Sequence, residues 1–299
     1  MEYVIENEFL KVTVNQMGCE ITDITSKKNN KKYLWNGNPE AWKRHSPVLF
    51  PLIGRYKDDT SIYDDKAYHM GQHGFARDME FSLVAHSNDE IIMKLTQTPE
   101  TLEKYPFNFE LECGYKLQDN EIKVIWKVHN TNEKTMHFSL GGHPAFIVPK
   151  SSEEATIKNA IGCKVLFKKN GNIVQDIQYN LLNENGLVMP QQYNFNLTNG
   201  EVEVTQDFFD KDAYIIENTQ ADEVSLIDET DEKFITVKFD TPVFGVWSAA
   251  NKGVPFVCIE PWYGRADDIN SDNQLQNRKW GNTLQAGEVF DKNYTIQVY

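Results

Sequence analysis

Four short segments of this 299-residue chain combine glycine, proline and ionisable side chains in a way that ordinary strands and turns do not require. The sharpest is Ser139-Leu-Gly-Gly-His-Pro-Ala-Phe146, where two glycines and a proline hold the backbone of His143 in an unusual path. An imidazole, with an ordinary pKa of about 6.5, serves as acid or base near neutrality once its pose is fixed. In Val254-Pro-Phe-Val-Cys-Ile-Glu-Pro-Trp-Tyr-Gly264, the apolar run Phe256–Ile259 ends in the carboxylate of Glu260. An acid at the tip of a hydrophobic strand is unfavourable unless paired or used, because burial raises its pKa, and that is the environment of a general base. An edge glutamate facing water is the plainer alternative. Trp262 and Tyr263 offer aromatic faces on which a ring could stack, although core packing explains aromatics equally well.

The other two segments carry cations. Ser46-Pro-Val-Leu-Phe-Pro-Leu-Ile-Gly-Arg55 delivers an arginine just after a glycine. Its guanidinium fork suits hydroxyls or a phosphate, or else a surface ion pair at a turn. Gly71-Gln-His-Gly-Phe-Ala-Arg77 sets His73 and Arg77 in a short glycine-flanked connection, where backbone and ligand can approach closely. A lone histidine is otherwise most often a satisfied structural residue.

Much common chemistry is excluded. The sequence has no GxSxG, P-loop, HExxH or dinucleotide glycine fingerprint. Its four cysteines (Cys19, Cys113, Cys163, Cys258) lie far apart, with no CxxC pair and no Cys/His cluster at metal spacing, so free buried thiols are expected and no metal. A net charge of −14 disfavours nucleic acid and anionic membranes as partners. No run approaches the roughly 18 apolar residues of a spanning helix. The opening Met1-Glu-Tyr-Val-Ile-Glu6 lacks the basic and apolar regions of a signal peptide, so a cytoplasmic location is expected.

Short strand-like runs must position these residues. Glu8–Val14, Glu90–Leu95, Phe107–Leu117, Ile122–Val128, Lys164–Lys168, Tyr214–Ile216, Phe234–Phe239, Phe256–Glu260 and Tyr294–Tyr299 read as strands, separated by tight-turn residues such as Asn-Gly and Asp-Asn. Only Pro99–Tyr105 and Arg278–Leu284 read as helical. Such a pattern predicts an all-β protein, a large antiparallel β-sandwich or barrel. No linker or fixed-period repeat is visible, so one domain spanning 1–299 is expected, with Pro149–Glu154 as its likeliest internal break.

Taken together, Pro51-Leu-Ile-Gly-Arg55, Gln72-His-Gly-Phe-Ala-Arg77, Gly141-Gly-His-Pro-Ala-Phe146 and Cys258-Ile-Glu-Pro-Trp262 resemble the aldose 1-epimerase (galactose mutarotase) family, and within it the LacX-like branch. The resemblance spans essentially the whole chain. It implies the family's galactose mutarotase-like supersandwich, with the site in a cleft. It also implies an isomerase that interconverts α and β anomers of an aldohexose or hexose phosphate without any cofactor; a monomer or homodimer is expected. By the same resemblance His143 is the general acid, Glu260 the general base, and Arg55 and His73 hold sugar hydroxyls. Trp247 lies near the sugar, and Asp212 or its neighbour Asp210 supplies the family's central aspartate. Arg77 joins Arg55 as a candidate phosphate ligand. The Pro-Ala-Phe after His143 departs from the asparagine-and-aromatic pattern of typical galactose mutarotases, which leaves the preferred sugar open. The chemistry asks for one imidazole and one carboxylate, expected on opposite sides of the ring. A non-catalytic sugar-binding protein is the alternative from another class.

Overall fold

A computed structural model describes residues 1–149, 159–250 and 253–299. Most of the expected break, residues 150–154, lies outside these. Among the described residues the chain is nearly all antiparallel strand, in two large sheets and three small ones. The ten-stranded sheet is centred on three long strands, Phe109–Gln118, Glu121–Asn130 and Val289–Val298. The eight-stranded sheet runs Val188–Asn194, Gln178–Leu182, Tyr214–Glu217, Val243–Trp247, Phe256–Tyr263, Leu140–Gly142, Val48–Leu49, with Ala145–Ile147 also on Phe256–Tyr263. Every inter-strand ladder in them is antiparallel, as the tight turns require.

The eight-stranded sheet is buried on both faces, and its alternation separates two tasks. Phe244, Val246, Val257, Ile259 and Tyr263 point into the main core, where Tyr263 meets Phe290 and Trp126 of the ten-stranded sheet. Cys258, Glu260 and Trp262 point the other way, with Ile215, Val243 and Ala145. The Trp262 indole lies in a slot between neighbouring strands. A Cβ on Gly141 or on Gly245 would come within 2.6 Å of it. The main core draws residues from Ile5 to Val298.

The helix at Pro99–Lys104 forms as expected, with Thr98 and Thr101 exchanging a capping box and proline in the first turn. The expected helix over Arg278–Leu284 does not. Trp280 takes a positive φ of 63°, and Asn282–Leu284 becomes a strand paired with Met136–Phe138. No described helix is long and apolar enough to cross a membrane.

Candidate active site

Strand register explains how His143 and Glu260 meet. Gly141 lies opposite Trp262 and Ala145 opposite Cys258, so both flanking ladders share one register. In the gap between them, that register sets His143 opposite Glu260. Glu260 is therefore not at a strand tip, as expected from sequence, but in the middle of Phe256–Tyr263, where the strand continues past Pro261. His143 Nε2 lies 3.3 Å from Glu260 Oε2. The two groups are adjacent rather than apart. Glu260 is 1 % exposed and His143 7 %.

The pair forms part of the wall of a cavity of about 340 Å³, also lined by Trp42, Gln72, His73, Arg77, Asp212, Trp247 and Trp262. That volume lies at the small end of ligand pockets, which run roughly 300–1,000 Å³. A larger space of about 920 Å³ shares Trp42, Gln72, Leu182, Gly186, Asp212 and Trp247 with it, and forms the mouth. Arg55 lines the mouth, not the inner cavity, and its guanidinium is engaged by Asp59 at 2.9 Å. Asp210 also lines only the mouth, whereas Asp212 lines both spaces, so of the two candidate aspartates Asp212 is the one beside the pair.

His73 sits at a positive φ of 67°, in a turn where a Cβ on the next residue, Gly74, would lie 2.3 Å from the Phe50 carbonyl. Gly54 N–H donates to His73 Nδ1 at 3.1 Å. In the neutral ring this fixes the proton on Nε2, making His73 a hydrogen-bond donor. Burial pushes the His73 pKa well down, and His143, Arg77, Arg55 and Arg44 add to this. The His73 and His143 rings meet edge to face at 5.7 Å.

Burial also lowers the His143 pKa, with the Arg77 charge adding to it. Burial raises that of Glu260 well above the usual carboxylate range, helped by the negative charge of Asp212. Both shifts run in the same sense, toward an uncharged carboxyl beside an uncharged imidazole. Arg77 is pushed down to about 10 by burial and by Arg44, and so stays cationic at neutral pH. It donates to the Gln72 carbonyl at 2.7 Å.

Aromatic rings complete the site. Trp247 meets the His143 ring edge to face at 5.1 Å. Trp42, which sequence reasoning missed, stacks on His143 with centroids 4.8 Å apart and planes 28° apart. It rides on an irregular segment tied down by Glu20, whose carboxylate accepts from the backbone N–H of His45 and Ser46 at 2.7 and 2.9 Å. The Trp42 carbonyl accepts from Trp35 Nε1 at 2.7 Å. Nothing in the local pattern around Trp42 signals this role, which only the tertiary fold creates.

This architecture and motif set define a class. The aldose 1-epimerase family model matches residues 1–297, and the chain belongs to that family. The chromosomal LacX protein of Lactococcus lactis is 28% identical over 306 aligned residues, covering 100% of this chain and 99% of LacX. A galactose mutarotase related enzyme from Lactobacillus acidophilus superposes with a TM-score of 0.91 at 33% identity, over 100% of this chain and 97% of its own. A galactose mutarotase-like protein from Lactobacillus casei gives 0.91 at 27%, with both chains covered completely. The all-β sandwich expected from sequence is thus the family's fold.

Proposed function

We propose that this protein is a mutarotase that interconverts the α and β anomers of a neutral aldose, in the cytoplasm and as one domain spanning 1–299. The observation that carries the reading is the buried His143–Glu260 pair, 3.3 Å apart at a cavity sized for a single sugar ring. The anomeric hydroxyl and the ring oxygen are bonded to the same carbon, so adjacent groups can address both. Roles follow the family motifs. Glu260 as carboxylate takes the proton of the anomeric hydroxyl, while His143 as imidazolium protonates the ring oxygen, and the hemiacetal C–O bond breaks.

Ring opening leaves a protonated carboxyl and a neutral imidazole. These are the directions in which burial displaces the two groups. The reacting form, carboxylate beside imidazolium, is the one burial disfavours, so in this reading a proton passes from the carboxyl to the imidazole across the 3.3 Å between them before the ring opens. Rotation about the C1–C2 bond presents the other aldehyde face, and the proton transfers run in reverse. His73 Nε2–H, Arg77 and Asp212 would hold sugar hydroxyls, with Trp42 and Trp247 bounding the ring. No electron leaves or enters.

The neutral substrate is supported by charge. Asp58, Asp59, Glu184, Asp210 and Asp212 line the mouth against Arg55 and Lys211. A phosphate would enter an acidic space whose arginine is already paired.

The test is NMR exchange spectroscopy on glucose, galactose and their 6-phosphates, with wild type and His143→Ala. Acceleration of the neutral sugars that vanishes in the variant is expected. Preference for the phosphates would overturn the neutral-substrate reading, and no acceleration of any sugar would leave a sugar-binding role instead.

A further inference from the structure

The site contains a third ionisable group that anomer exchange does not use. Cys258 lies two residues before Glu260 on the same strand, so the pleat points both side chains to one face. An imidazole nitrogen of His143, the Cys258 sulfur and a Glu260 carboxylate oxygen all lie within 4.8 Å of one another, and all three residues are buried. Sequence spacing hides this cluster, because His143 arrives from the gap between two short strands more than a hundred residues away. Opposite Cys258 stands the small side chain of Ala145.

We propose that His143, Cys258 and Glu260 form a binding site for a thiophilic divalent cation such as Zn²⁺, and that its occupation switches off the acid–base pair. The inference rests on the proposed function only for the switching, not for the binding. Nitrogen, thiolate and carboxylate are the ligand types Zn²⁺ takes, at about 2.0–2.3 Å each. Tetrahedral ligands at such bond lengths stand roughly 3.3–3.6 Å apart. The imidazole and carboxylate already stand at 3.3 Å. Small side-chain shifts bring the sulfur in.

A second, independent observation points the same way. Glu260 Oε2, the oxygen 3.3 Å from His143 Nε2, is buried and makes no hydrogen bond. Buried polar atoms left unpaired call for an explanation, and a cation is one that satisfies the carboxylate directly. The cavity that His143 and Glu260 line gives the ion its route, and its open side leaves the fourth position for water or a sugar hydroxyl. Coordination forms the metal–sulfur and metal–carboxylate bonds and releases the thiol proton, with any proton on the Glu260 carboxyl, to solvent. With both members ligated, neither can exchange a proton with a sugar.

The experiment uses the purified full chain and two readouts. Co²⁺ titrated in the absence of sugar should give a thiolate-to-metal charge-transfer band, which Zn²⁺ displaces and which Cys258→Ser and Cys258→Ala both lack. Zn²⁺ should inhibit anomer exchange reversibly, with restoration by a chelator. Cys258→Ser should keep its basal rate while needing at least about tenfold more Zn²⁺ for half-inhibition. Absence of the band in wild type, its persistence in both variants, or equal Zn²⁺ sensitivity of wild type and Cys258→Ser would overturn the site. A wild type that binds Co²⁺ through Cys258 but accelerates no sugar would overturn the proposed function and leave the metal site standing.

Discussion

Two glutamates are buried in the same eight-stranded sheet to almost the same depth, Glu217 at 2 % exposure and Glu260 at 1 %. Their surroundings differ completely. Glu217 forms ion pairs with Arg265 Nε at 2.5 Å and with Lys279 Nζ at 2.6 Å. Arg265 is itself 1 % exposed and spends its other nitrogens on the Ala266 carbonyl and on Asp268. Although burial alone would raise the Glu217 pKa, Arg265 and Lys279 hold it below the usual range. Glu260 has a neutral imidazole as neighbour and the negative Asp212 nearby, so its pKa rises. Burial is common to both. The partners decide which carboxylate is a structural charge and which is able to trade a proton.

Removing each carboxylate should separate the two roles, and here the largest effects are expected. Glu260→Gln removes a positioned proton-transfer group and should lower kcat by about 10²–10⁴-fold, with sugar affinity nearly unchanged. Glu217→Gln leaves Arg265 buried without its main partner and should cost about 3–5 kcal/mol of stability, with the kcat of the folded fraction unchanged. Denaturant titration and steady-state kinetics on both variants would check this. A Glu217→Gln enzyme as inactive as Glu260→Gln would erase the distinction.

The pH dependence of stability sharpens it further, because the two carboxyl groups are displaced in opposite directions. Glu260, raised in the folded state, costs nothing below the unfolded carboxylate pKa of about 4.3, where both states are protonated. As pH rises beyond that, the unfolded chain ionises and the folded one does not, so stability falls until the folded pKa is passed. Glu217, lowered in the folded state, contributes stability above that same pKa and loses it as pH falls through its folded value. Every tenfold difference in proton affinity between the folded and unfolded chain is worth about 1.4 kcal/mol. The melting temperature of Glu260→Gln relative to wild type should therefore climb from pH 5 to pH 8. That of Glu217→Gln should fall further behind as pH rises from acid toward neutrality. Parallel curves for the two variants would mean that their environments are not distinct.

The amino-acid sequence exposes much of this, unevenly. Strands such as Glu90–Thr96 and Glu121–Asn130 are legible because one side of each is buried, which writes a period of two into the residues. The helix at Pro99–Lys104 is legible from its proline. Arg278–Leu284 misleads, because the Arg278 side chain is committed to buried Asp267 at 2.7 Å and the chain must turn there to join a strand. His143, His73 and Glu260 stand out through their glycine and proline neighbours. Trp42, Cys258 and the Glu217–Arg265 cluster do not, since each acquires its role only from contacts across distant strands. The choice between Asp210 and Asp212 is of the same kind: two residues apart in sequence, only one reaches the inner cavity.

The two arginines that the motifs group together offer the smallest and most discriminating contrast. Arg77 lines the inner cavity with its side chain 18 % exposed, while Arg55 lines the mouth at 38 % and is held by Asp59. A charged hydrogen bond in a buried site is worth about 1.5–3 kcal/mol, and an exposed ion pair about 1 kcal/mol or less. Arg77→Ala should therefore raise KM for the neutral sugar by about ten- to a hundredfold. Arg55→Ala should raise it by no more than about fivefold, with its kcat unchanged. If instead Arg55→Ala proved the more damaging, the sugar would have to sit further out than the inner cavity.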